Sequence, residues 1–112
     1  MSDSERSSLS LLGLGLKAGR VAIGVEAVHA ALQKGTAFAI VMPADASARA
    51  IEKIVSLAGH KQVPVLMLAN AERLGAKLGR PPVHGVAVLD RQLARGLRAY
   101  LAVTDRREMA AG

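Results

Sequence analysis

Two uninterrupted apolar runs, "AFAIVM" at residues 37–42 and "VPVLML" at residues 63–68, constrain this chain more than any other feature. A continuous apolar run of strand length belongs to a strand covered on both faces, because a strand with one wet face alternates apolar and polar side chains. The run at Ala37–Met42 is therefore central in its sheet, and helices must lie above and below it. The flanking segments supply them. Val28, Ala31 and Leu32 form an apolar stripe on a helix from Val25 to Lys34, which Gly35 is placed to end. After "AFAIVM", Pro43 breaks the strand and Asp45 or Ser47 caps a helix. Ile51, Ile54, Val55 and Ala58 point inward along it, and Gly59 follows its end.

The same periodicities organise both ends of the chain. Leu9, Leu12 and Leu16 recur at helical spacing up to Gly19, in a helix weakened by Gly13 and Gly15. A short strand, Arg20 to Ile23, follows and turns at Gly24. Asn70 caps a short helix, "HGVAVLD" is the last strand, and a final helix runs from Asp90 to Val103. Leu93, Leu97, Tyr100 and Leu101 share one side of it, with Arg91, Arg95 and Arg98 nearly opposite. This alternation predicts one domain over residues 9–103, built as a three-layer α/β/α sandwich, between a disordered start over residues 1–8 and a flexible tail over residues 104–112. A two-layer α/β domain is the alternative.

A chain of 112 residues can bury a real core without disulfides or metal, and the absence of cysteine excludes both a disulfide framework and a thiolate metal site. The formal charge of +6 points to an anionic partner such as nucleic acid. Phe38 and Tyr100 are the only aromatic residues, so shape and phosphates are better supported as recognition features than base stacking. "MSDSERSSLS" lacks the cationic start and apolar run of a secretory signal, and no segment has the length of a membrane span, so the expected location is the cytoplasm.

Catalytic constellations are missing from the sequence. "GLGLKAG" resembles a glycine-rich dinucleotide turn, but its glycines lie inside and after a helix instead of between a strand and a helix. His29, His60 and His84 are scattered without metal-ligand spacing, and Asp45 has no acidic companions to hold magnesium. The serines lie mostly in the first ten positions and none sits in a nucleophile elbow. The reading is a non-enzymatic protein with no cofactor and no metal. Basic residues are better organised: Arg20 enters the first strand, Lys34 ends the following helix, and Arg73, Lys77 and Arg80 lead into the stiff Pro81-Pro82 loop. For Arg91, Arg95 and Arg98 a solvated helix face is explanation enough.

With these elements in order, "LLGLGLKAGRV", the helix start at Gly24, "AIVMPADAS" and "LGAKLG" resemble the kink-turn RNA-binding family of ribosomal proteins, specifically its bacterial YlxQ-like branch. The resemblance spans Leu9 to Leu101. It implies a compact α/β/α sandwich around a four-stranded mixed sheet. It also implies an RNA surface made by the helix start after the first strand and the loop before the last strand. In RNA-binding members the first element reads glycine, any residue, asparagine or lysine, glutamate or glutamine, two residues, then lysine. Here Gly24 matches, whereas Glu26, Ala27 and Ala30 stand at the polar positions.

The second loop keeps more of its character, with Pro81, Pro82 and Val83 available to pack on an extruded base while Lys77 and Arg80 meet phosphates. The RNA contacts expected from the resemblance and the charge pattern are Arg20, Gly24, Val25, Glu26, Lys77, Arg80, Pro81, Pro82 and Val83. The expected partners are structured RNA, with ribosomal RNA and ribosomal proteins as the candidates the family suggests. The competing expectation is a protein-interaction module that kept the fold, since Val25, Ala27, Val28 and Ala30 make the contact surface rather apolar.

Overall fold

A computed structural model describes residues 2–101. In chain order it contains α1 (Asp3–Lys17), β1 (Val21–Ile23), α2 (Val25–Lys34), β2 (Ala39–Met42), α3 (Ala48–His60), β3 (Val65–Met67), α4 (Ala71–Lys77), β4 (Val86–Val88) and α5 (Arg91–Tyr100). The four strands form one mixed sheet in the order β1-β4-β2-β3. β4 runs antiparallel to both neighbours, with Ala87 opposite Ala22 on one side and Ile40 on the other, whereas β2 and β3 are parallel.

Side-chain alternation along these strands divides the interior in two. Ala39, Val41, Leu66, Val86 and Val88 face Leu9, Leu12, Leu74 and Leu97 of α1, α4 and α5. Ile40, Met42, Val65 and Ala87 face Val28, Leu32, Ile54 and Ala58 of α2 and α3. The result is the three-layer α/β/α sandwich. Every residue of β2 is buried, as its unbroken apolar run requires. Burying each large apolar side chain such as Leu12 or Ile54 contributes roughly 1.5–3 kcal/mol against chain entropy. Among the described residues no helix is long and apolar enough to cross a membrane.

Three local expectations are corrected, and one choice left open, the cap of α3, is decided. Residues 2–8 do not form a disordered start: α1 begins at Asp3, with the Ser2 hydroxyl accepting from the Glu5 N–H at 3.1 Å. Glu5 is tied to Arg73 of α4 at 3.0 Å and Ser8 is buried, so cap and tertiary contacts order a stretch that intrinsic propensity would leave frayed. Gly59 lies inside α3, and Gln62 supplies the positive φ of 58° beyond its end. Ser47 caps α3 by accepting from Ala50 N–H at 3.1 Å, while the Asp45 carboxylate accepts from Ala71 N–H at 2.8 Å and braces the start of α4. Tyr100, expected on the buried side of α5, is 47% exposed. The expected tail over 104–112 lies outside the described residues.

Candidate nucleic-acid interface

The strand β1 must hand over to α2 in a tight turn, and Gly24 makes it with φ 109° and ψ 153°, a conformation essentially closed to residues with a Cβ. Its N–H donates to the Gly85 carbonyl at 2.9 Å, and its own carbonyl accepts the first α2 hydrogen bond, from Val28 N–H. No side chain caps α2. The first-turn N–H groups are therefore available to an anion, which the positive end of the helix favours.

The loop before β4 is anchored at several points. Arg80 N–H donates to Gly75 O at 2.8 Å and Val83 N–H to Ala71 O at 3.0 Å, pinning the loop along α4. The close approach needs glycine: a Cβ on Gly75 would run into the Pro81 carbonyl. His84 accepts at Nδ1 from the Ser47 N–H at 3.1 Å, which fixes its proton on Nε2 when neutral and joins the loop to the start of α3. Gly85 completes the junction with Gly24. Three segments, the α2 start, the α3 start and the proline loop, are thus held together by one backbone hydrogen bond and the His84 imidazole, and Arg80, Pro81 and Pro82 stand exposed at their margin.

Several expected site residues are positioned differently. Val83 is 5% exposed and belongs to the core with Leu74 and Leu78, so it cannot pack on an extruded base; docking of its N–H on α4 turns the side chain inward. Lys77 lies against α1, its Cε 3.2 Å from where a Cβ on Gly13 would be, and lines a groove with Leu14, Lys17 and Leu78. Arg20 sits at the opposite end of β1 from Gly24, bonded to Asp90 at 2.7 Å, and Asp90 also caps α5 through Leu93 N–H at 2.9 Å. Val25 is half-buried and Glu26 exposed at the start of α2.

Glu26 has partners that sequence reasoning missed. Its Oε1 accepts from the Arg49 guanidinium at 2.6 Å and lies 3.6 Å from Lys53 Nζ, both on α3. The charge of Lys53, then the hydrogen bond from Arg49, hold the Glu26 carboxyl below its ordinary pKa. The only signal in the chain was the spacing of Arg49 and Lys53, four residues apart just after the Ser47 cap, which sets two cations on one helix face. Among the described residues no cluster of histidine, aspartate and glutamate could hold a metal ion.

A family model described as ribosomal protein L7Ae/L30e/S12e/Gadd45 family matches residues 7–107. No curated protein matches the chain. Among solved structures, a protein of unknown function from Bacillus halodurans is 31% identical, with a TM-score of 0.77 over 83% of this chain and 94% of that one. The Giardia lamblia 15.5kD RNA binding protein has the same fold, with a TM-score of 0.70 and 17% identity over 89% of this chain and 86% of its own.

Proposed function

Because the chain belongs to the ribosomal protein L7Ae/L30e/S12e/Gadd45 family, we propose that it is a non-enzymatic protein that binds structured RNA in the cytoplasm, with ribosomal RNA the foremost candidate. The observation that carries this reading is the junction of Gly24 with Gly85: an uncapped helix start is locked beside a rigid loop bearing Arg80, Pro81 and Pro82. Recognition is by shape and phosphates, because Glu26, Ala27 and Ala30 replace the polar side chains with which the family reads a kink-turn. A loop already pinned to α4 loses little entropy on docking. The name of the Giardia protein is consistent with this reading.

The test is a titration of a kink-turn RNA and an unstructured RNA of equal length at two salt concentrations. Preference for the folded RNA, with log K falling by roughly 0.7–0.9 per phosphate neutralised for each unit of log salt, is the expected outcome. Binding indifferent to salt or to RNA structure overturns the reading. The half-buried Val25, Ala27 and Ala30 favour one alternative, a protein partner on the same face. Partners that survive ribonuclease in a pull-down would support it.

A further inference from the structure

Arg49 and Lys53 stand one turn apart on the exposed face of α3, and like charges at that spacing repel. Their counterion comes from another element: the Glu26 carboxylate, in the first turn of α2, reaches both. All three side chains are open to water, with 62%, 42% and 65% exposure for Arg49, Lys53 and Glu26. An exposed triad of this kind is weakly held, so an incoming anion can take the place of the carboxylate at small cost. The triad also borders the uncapped α2 start, so a phosphate seated on the two cations would continue along the helix N–H groups.

We propose that Arg49 and Lys53 form a phosphate subsite for the RNA backbone, and that Glu26 occupies it in the free protein as an internal substitute for that phosphate. The inference rests on the RNA-binding reading given above and adds to it a location and a control. The carboxylate holds both cations against one oxygen, so the subsite is preformed. It also lowers the attraction for nonspecific polyanions, because every docking phosphate must first displace it. Glu26 thus has a different part from the neutral or cationic side chain at that position of the family's motif: it tempers binding, and the cations that replace the lost contacts come from α3.

The experiment compares wild type, Glu26→Gln, Arg49→Ala/Lys53→Ala and the triple variant. Binding to a kink-turn RNA and to an unstructured RNA of equal length is measured over a salt series, with thermal unfolding to confirm that each variant is folded. Glu26→Gln keeps the size and polarity of the side chain and removes only its charge. It is expected to bind about threefold to tenfold tighter and to steepen the salt slope by about 0.7, the share of one additional released counterion. Arg49→Ala/Lys53→Ala is expected to bind more weakly, and adding Glu26→Gln to it should bring no gain, because the carboxylate acts only through those cations. Wild-type binding with unchanged or weaker affinity in Glu26→Gln overturns the subsite alone, as does an equal gain from Glu26→Gln with and without the cations. Absence of RNA binding by wild type overturns the subsite together with the RNA reading beneath it.

Discussion

Gly24 and Gly85 are joined through a 2.9 Å hydrogen bond from the N–H of the first to the carbonyl of the second, which couples the entrance of α2 to the loop before β4. Neither residue contributes a side chain. This junction of the candidate interface is accordingly a product of backbone conformation, with charge supplied by residues around it.

Replacing Gly24 by alanine should therefore damage both stability and function. At φ 109° and ψ 153° a Cβ is strained, and the expected loss is roughly 1–3 kcal/mol in urea denaturation. RNA affinity should fall in parallel, because relief of that strain moves the α2 start away from Gly85. Unchanged unfolding midpoints would count against the geometry described.

Two further glycines should respond in opposite directions. Gly75→Ala drives a methyl into the Pro81 carbonyl and should cost about 1–3 kcal/mol while displacing Arg80. Gly59→Ala meets nothing within 4 Å inside α3 and should stabilise by about 0.5–1 kcal/mol through helix propensity and a restricted unfolded chain. Equilibrium denaturation of the pair provides the comparison within one protein.

The cations should divide by location. Arg80→Ala is expected to weaken RNA binding and lower the salt slope by about 0.7–0.9, one phosphate contact. Arg95→Ala/Arg98→Ala, on the outer face of α5, should alter affinity less. Equal losses would extend the interface to α5. Lys77→Ala, whose side chain lies on α1, should fall nearer to the α5 variant than to Arg80→Ala.

Glu26 also makes a pH signature. Lys53 and Arg49 depress its carboxyl pKa, so it should titrate below the ordinary glutamate range in carbon-detected NMR, and Lys53→Met should bring it back up. A carboxyl depressed on folding adds stability that is present above its unfolded pKa and disappears as pH falls through the folded value. The triad's contribution is thus complete at neutral pH and lost only in acid. A normal midpoint in the wild type would mean that the triad does not persist in solution.

What could be read from the sequence was whatever depends on neighbours in the chain. The apolar run at β2, the Asn70 cap and the Gly35 helix stop are local, and the structure has each of them, with Asn70 accepting from Arg73 N–H at 2.8 Å and Gly35 at φ 73°. Missed features depend on distant partners. Order at Asp3–Ser8 needs Arg73, the inward turn of Val83 needs the Ala71 carbonyl, and the neutralised charge of Glu26 needs α3. Arg20 read as a free cation because Asp90, its partner, is remote in sequence. Charge and family pattern pointed to a candidate interface; only three-dimensional contacts could tell exposed cations from engaged ones.

The order β1-β4-β2-β3 has a consequence for synthesis. The strand that separates β1 from β2 is the last of the four to leave the ribosome, so a nascent chain lacking Val86–Val88 has no way to bind its first strand into the sheet. Gly85 is also still missing at that stage, and Gly24 has nothing to close against. Assembly of the candidate interface is thereby tied to synthesis of β4, and fragments released before it would carry the earlier basic residues without the surface that arranges them.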